Sequence, residues 1–474
     1  MTAAPLSLGR SSPASAAARP RLRRRELALL AVVALALLVG AASLGSTAAG
    51  RPEVAGAVHL GVYVGGLFTL SLALALAGRR SDELLLPVAG LLGGMGLLLM
   101  LRLPQDLVTQ EIAGRELGLA DLQLAWLLVS LVVAGVLALF VRSDRWLRLY
   151  KYTWAAVGIG LLLLTFAFGT ETNSARLTLT IGPITGQPSE LLKVILVVFF
   201  AGYLAENRPL LAEARVRLAG PLSIPPLAAF LPLAAMLGLA LTIVVVQRDL
   251  GAALLYYAVF LVMLYVATGS LLDVLGGIAL FALGSFAVAA LFPLVGVRIA
   301  AWLDPWSDPL GSGYQLIQAL HAFARGGVFG TGLGAGLPEI GGNLPIPAVH
   351  TDFPLAALGE EIGLTGVMAV LGLYLLLVQR GLRIAAAARD DFGTLLATGL
   401  AAVVAVQAFI IAAGNLKLIP LTGITLPFVS YGGSSLLANA LVIGLLLALS
   451  DPGDPVAPPP PRSTGRLARL RGRS

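Results

Sequence analysis

Asp304-Pro-Trp-Ser-Asp308-Pro-Leu-Gly-Ser-Gly-Tyr314-Gln315 lies inside a weakly hydrophobic stretch, 298–352, that separates two long apolar runs. The stretch ends in His350-Thr-Asp-Phe353, and the apolar run that follows carries Gly359-Glu-Glu-Ile-Gly363. Nearly everything around it is soluble in hydrocarbon. Two spans can be joined by far less, and long connections in otherwise economical chains tend to carry function.

Working outward, 58% of the 474 residues are hydrophobic and 12% are charged. Soluble domains carry about 25% charged residues. A span needs about 20 mostly apolar residues to cross the bilayer core. Twelve such runs are found, near 27–48, 56–78, 83–101, 122–141, 153–170, 189–206, 223–246, 251–268, 271–297, 353–379, 393–417 and 432–450. They do not alternate as barrel strands would, so each is expected to be a helix. The predicted fold is an all-α polytopic membrane protein with about 12 transmembrane helices and one large outer loop, 298–352. The first run follows Arg21, Arg23, Arg24 and Arg25 but is long and lacks a clear cleavage site, so it reads as an uncleaved span. The absence of cysteine excludes disulfides and thiol chemistry.

Orientation follows from the basic residues. With the N-terminus in the cytoplasm, 23 of the 32 Lys and Arg fall in inner tails and loops, among them Arg79, Arg80, Arg142, Arg145, Arg148, Lys151 and Arg380. Only Arg51, Arg102, Arg115, Arg176, Arg248, Arg298 and Arg325 fall outside. Both termini are therefore expected inside and the 298–352 loop outside. The organisation reads as a disordered basic tail (1–26), a first group of spans (27–101), a membrane domain (102–450) and a disordered Pro- and Arg-rich tail (451–474).

Location limits the chemistry. There is no Walker A motif, and ATP is not available outside. Synthesis there needs a pre-activated substrate, and in a membrane the natural one is a sugar on a lipid pyrophosphate. Gln187-Pro-Ser-Glu190 opens a span, with Lys193 one turn on and on the same face as Glu190. A helix start of this kind favours anions. Gln247-Arg-Asp-Leu-Gly251 is a short outer turn, and Asn173 and Arg176 lie in the preceding outer loop. Each pair, Glu190–Lys193 and Arg248–Asp249, can also be a local ion pair. Together, on one side, they favour a polar outward cavity. Asp308 can act as a general base, although Asp-Pro pairs are usually turns, and Asp304-Pro305 reads readily as one. Thr351 and Asp352 read best as a cap for the following span. Glu360 and Glu361 lie a turn or two inside that span. Gly326, Gly327, Gly330, Gly332, Gly334 and Gly336 predict a flexible segment, and His59 and His321 suggest no metal cluster.

At these residues the chain closely resembles the SEDS family (shape, elongation, division and sporulation), which includes RodA and FtsW. The matching pieces are Gln187-Pro-Ser-Glu-Leu-Leu-Lys193, Gln247-Arg-Asp-Leu-Gly251, Asp304 to Gln315, His350-Thr-Asp-Phe353, Gly359-Glu-Glu-Ile-Gly363 and Ile419-Pro-Leu-Thr-Gly-Ile-Thr-Leu-Pro-Phe-Val-Ser-Tyr-Gly-Gly-Ser-Ser435. The resemblance implies a core of about ten spans, here with two more at the N-terminus. It implies an inverting peptidoglycan glycosyltransferase that polymerises lipid II on the outer face of the membrane and releases undecaprenyl pyrophosphate. The implied partners are lipid II, a class B penicillin-binding protein transpeptidase and membrane lipids, with no nucleic acid. The family's key aspartate falls on Asp308, as general base or as ligand of a divalent cation (Mg or Mn); no other cofactor is implied. Arg176, Lys193 and Arg248 would offset pyrophosphate charge. Glu190, Asp249, Tyr314, Gln315, His350, Glu360, Glu361, Lys417 and Ser430 complete the expected substrate-binding set. The chain departs from the family pattern at Asn173-Ser-Ala-Arg-Leu-Thr-Leu-Thr180, at Arg248, where many members have Pro, and at Pro354. The RodA-like branch fits better than the FtsW-like one. A lipid II flippase is the alternative from composition, and a non-catalytic scaffold a third.

Overall fold

A bilayer core offers no water to the backbone, so each apolar run must satisfy its own amides. The computed structural model describes residues 23–49, 54, 56–112, 114–172, 175–181, 184–212, 216–219, 222–224, 226–336 and 344–451. Among them the runs form α1 (Arg24–Ala49), α2 (Ala57–Leu76), α3 (Leu85–Arg102), α4 (Leu119–Phe140), α5 (Arg145–Leu149), α6 (Lys151–Phe168), α7 (Pro188–Ala212), α8 (Leu227–Val246), α9 (Leu250–Thr268), α10 (Leu271–Leu291), α11 (Pro293–Leu303), α12 (Tyr314–Gly326), α13 (Pro354–Ala387), α14 (Asp391–Asn415) and α15 (Gly433–Ser450). Twelve of these, all but α5, α11 and α12, are long and apolar enough to cross a membrane. Short antiparallel hairpins sit in the connections: β1 (Gln110–Ile112) with β2 (Arg115–Leu117), β3 (Thr170–Thr172) with β4 (Ala175–Ile181) and β5 (Ile184–Gly186), and β6 (Val216–Ala219) with β7 (Leu222–Ile224).

The expected spans match the helices within a few residues at most ends. The run expected over 271–297 stops at Leu291, because Pro293 has no amide to continue the ladder and instead opens α11. The stretch 298–352, read as one loop, contains the end of α11, a 3₁₀ turn at Pro305–Ser307 and α12. Most of α7 and α14 is buried, which places them at the centre of the bundle, whereas α10 buries none of its residues. It meets α9 through Gly277, whose carbonyl accepts from Tyr257 at 2.8 Å. At the other edge α1 is fastened at both ends. Arg23 pairs with Glu26 and donates to Ser81 Oγ at 2.8 Å and Asp82 O at 3.1 Å, while Thr47 Oγ1 donates to Leu333 O at 3.1 Å. Helix α1 begins at Arg24, inside the stretch 1–26 expected as a tail; 1–22 and 452–474, expected disordered, lie outside the described residues.

The longest helix is interrupted. Within α13, Gly363 takes φ 66° and ψ −172°. The break strands carbonyls on one side and amides on the other, and the glycine-rich segment supplies both sets of partners. Thr331 N donates to Glu360 O and Gly332 N to Glu361 O, each at 2.9 Å; Leu364 N donates to Gly327 O at 2.9 Å and Thr365 N to Val328 O at 3.1 Å. Irregular backbone at this depth is tolerated because it is enclosed by protein. Four of the six glycines, Gly326, Gly330, Gly334 and Gly336, are packed against neighbouring atoms, where the sequence reading expected a flexible segment; Gly327 and Gly332 face open space. A Cβ on Gly330 would lie 2.2 Å from Glu361 O, and one on Gly326 2.0 Å from Gly359 O. The expected cap at Thr351–Asp352 is also replaced. Phe353 is the N-cap of α13, no side chain caps it, and Pro354 removes one amide that would have needed a partner.

Candidate active site

Lys193 is 2% exposed in the second turn of α7, and a buried ammonium needs acceptors. Three surround it: Glu190 Oε2 at 2.6 Å, Gln407 Oε1 of α14 at 2.8 Å and Asn439 Oδ1 of α15 at 3.4 Å. An ammonium has three donors, so the protein itself occupies all of them. The network continues outward. Gln407 Nε2 donates to Thr425 O at 2.8 Å, Thr425 Oγ1 meets Ser435 Oγ at 2.6 Å, and Asn439 Nδ2 reaches Ser435 Oγ at 3.4 Å. Glu190 and Lys193 do share a face, as their spacing predicted.

A second cluster joins the starts of α7 and α9. Asp249 caps α9 by accepting from Ala252 N at 3.1 Å, and its other oxygen accepts from Ser189 Oγ at 3.1 Å and Gln187 Nε2 at 3.2 Å. Burial pushes its pKa up, and these hydrogen bonds oppose the shift. Gln187 N donates to Ser434 Oγ at 2.8 Å, which ties this cluster to α15. Beside it Arg248 is exposed and held at φ 65°, a left-handed conformation that bulky side chains seldom adopt. Arg176 stands in β4, paired across the hairpin with Glu171.

Asp308 closes the 3₁₀ turn that follows α11. Its Oδ2 accepts from Ser312 N at 2.7 Å and from Ser312 Oγ at 3.0 Å. Those bonds hold its carboxyl below the ordinary range, so it is ionised near neutrality while remaining exposed. Asp304 is the turn residue it looked like in sequence, with Oδ1 accepting from Trp306 N at 3.2 Å. Tyr314 and Gln315 open α12, both half-buried.

His350, Lys417 and Ser430, expected in the substrate-binding set, each fasten outer segments to one another. Ser430 Oγ donates to Thr351 O at 2.6 Å and accepts from Leu426 N at 2.8 Å. Tyr431 N donates to His350 O at 2.8 Å, and burial lowers the His350 pKa, leaving the imidazole neutral. Lys417, at φ 60°, accepts from Trp302 Nε1 through its carbonyl at 3.1 Å and sets its ammonium 5.1 Å from the Trp306 ring centroid. Burial raises the neighbouring Asp352 carboxyl to about 6. Glu360 and Glu361 lie deeper. Arg325 of α12 grips Glu360 with two nitrogens, at 2.8 and 3.3 Å, and Arg102 Nε lies 3.6 Å from Glu361 Oε1.

Sequence reasoning missed the neutral members of the network: Gln407, Asn439, Thr425 and Ser435. Their signal was present, since an amide inside an apolar run needs a partner as a charge does. Among the described residues no group of three or more His, Asp or Glu is gathered to hold a metal ion. His59, expected to have no metal role, meets Asp121 Oδ1 at 2.8 Å.

The family model described as cell cycle protein, spanning FtsW, RodA and SpoVE, matches residues 82–452. The chain belongs to this family. Within the FtsW/RodA/SpoVE family, the peptidoglycan glycosyltransferase RodA of Mycobacterium tuberculosis is 42% identical over 374 residues, 78% of either chain. A probable peptidoglycan glycosyltransferase FtsW of a Geobacter species is 38% identical over 61% of this chain and 76% of its own. Among solved structures, a chain from a peptidoglycan synthase complex that coordinates polymerization and crosslinking superposes with a TM-score of 0.62 at 29% identity, covering 78% of this chain and 98% of that one. The rod shape determining protein RodA of Thermus thermophilus gives a TM-score of 0.54 at 25% identity, covering 78% and 97%. Helices α1 and α2 precede the region that the family model matches.

Proposed function

We propose that this chain is a peptidoglycan glycosyltransferase that polymerises lipid II on the outer face of the cytoplasmic membrane. The observation that carries the reading is a buried polar network linking α7, α9, α14 and α15, in a chain whose exposed Asp308 is ionised and which is 42% identical to a RodA glycosyltransferase. The relatives' names favour an enzyme over a flippase. In the reaction, the acceptor 4-hydroxyl attacks C1 of the donor sugar, the C1–O bond to the diphosphate breaks with inversion, and Asp308 receives the hydroxyl proton. A depressed pKa makes Asp308 a weak base while Ser312 is bound to it, so substrate entry would need to loosen that contact. Lys193 has its donors taken by Glu190, Gln407 and Asn439, and Arg248 and Arg176 are the basic residues that would offset charge on the leaving diphosphate. Lys193 then acts by holding the helix ends in place. Asp308 stands outside any group of three or more His, Asp or Glu among the described residues.

The basic residues put both termini in the cytoplasm, with Asp308 outside. A class B penicillin-binding protein would crosslink the glycan, a pairing supported by likeness to the synthase complex that couples polymerization to crosslinking. The test is polymerisation of labelled lipid II by purified protein. Wild type should yield glycan strands, Asp308→Ala and Asp308→Asn should yield none while folding normally, and Asp304→Ala should be mild. Transbilayer movement of lipid II without polymer would support the flippase reading instead.

A further inference from the structure

We infer that α1, α3 and α13 form a binding site for a glycerophospholipid, with one acyl chain in the groove between them and the phosphate beside Arg102. The groove holds about 270 Å³. Its walls include Leu37, Met95, Leu98 and Val370, and only Arg102 and Glu361 among its lining residues are ionisable. Ala36 on one wall and Ala369 on the other are exposed, so the groove opens sideways between membrane-spanning helices, where the medium that meets it is hydrocarbon. A flat helix surface would present nothing to hold a chain; a groove surrounds it with apolar contacts and gives dispersion energy along its length.

The polar end decides the head group. Glu361 is 4% exposed, and its Oε1, like Arg102 Nε 3.6 Å away, is buried without a hydrogen-bond partner among the described residues. Arg102 also donates to Gly336 O at 2.8 Å, which fixes it at the outer end of α3. The end therefore offers a guanidinium nitrogen and a carboxylate oxygen that face each other as an ion pair without closing a hydrogen bond, beside the Gly334 and Gly336 amides that meet the carboxylate. A phosphate answers the first, and a glycerol hydroxyl or an amine the second. The carboxylate opposes the multiple charges of a diphosphate, which argues against a polyprenyl pyrophosphate. Helix α1 lies before the matched family region, so the site depends on this chain's N-terminal addition.

The probe is a phosphatidylglycerol with a photoactivatable diazirine on one acyl chain, used with the full chain in nanodiscs and read by peptide mapping. Labelling should concentrate on Met95, Gly366 and Ala369, with α10, exposed along its whole length, as the background. Ala369→Phe should lower groove labelling about tenfold, the factor expected from excluding a few buried methylenes, and leave α10 unchanged. If that variant does not fold, Ala36→Phe fills the groove from the opposite wall. Arg102→Gln should weaken labelling by the phospholipid. Equal labelling of groove and α10, undiminished labelling in both filled variants, or displacement by equimolar undecaprenyl pyrophosphate but not by unlabelled phosphatidylglycerol would overturn the assignment.

Discussion

At the residue scale, Asp308 and Lys193 contrast. Asp308 is exposed, and its carboxylate is held within its own turn by the amide and hydroxyl of Ser312, with the Gly311 amide beside them. Its folded-state pKa is depressed, so it stays ionised until the pH falls below the ordinary carboxylate range. Ser312→Ala removes the hydroxyl bond and keeps the amide bond, so the pKa rises part of the way back. If ionised Asp308 is required, the acid limb of the polymerisation rate moves to higher pH in the variant while the neutral rate stays near wild type. A limb that does not move would show that another group titrates there. Lys193 carries a charge that the sequence made conspicuous, and its neighbours within α7 were predictable from spacing. Gln407 and Asn439 come from distant helices and are uncharged. Reading only ionisable residues found the centre of the network and missed its circumference.

At the element scale, hydrocarbon thickness made the spans legible, since about 20 apolar residues must appear in every one. Two of the departures from the sequence reading are backbone events. Pro293 was readable as a stop and was absorbed into a run of apolar neighbours. The break at Gly363 was not readable, because glycine is ordinary in membrane helices, and what bends this one is a segment some thirty residues earlier in the chain. The conformation at Gly363 is open essentially to glycine alone, and a Cβ there would lie 2.3 Å from Gly330 N. Gly363→Ala should therefore lose about 3 kcal/mol or more. Gly61→Ala, on α2 with nothing within 4 Å of a new Cβ, should be neutral or gain ~0.5–1 kcal/mol. Thermal unfolding in detergent, followed by tryptophan fluorescence, checks both signs; equal midpoints would mean that the break is not a constraint.

At the scale of the whole molecule, the orientation expected from Lys and Arg can be tested cleanly because the chain has no cysteine. Ser307→Cys, exposed in the turn before Asp308, should react with an impermeant thiol reagent on intact cells. Ser143→Cys, exposed between α4 and α5, should react only after permeabilisation. The reverse pattern would remove the external site. How the bundle closes on itself was not legible, because packing of α7 against α9, α14 and α15 depends on pairs far apart in sequence.

The stitched break in α13 also sets an order on biogenesis. The ribosome delivers residues 326–332 before 354–387, so the clasp is made before the helix it must bend. As one straight helix α13 would be about 50 Å long, well beyond the hydrocarbon core. Until the clasp engages, four backbone groups at the break have no partners other than those a straight helix would give them. The bend in α13 and the fold of the segment 326–332 are therefore one structure: a lesion on either side of the clasp removes the partners of the other.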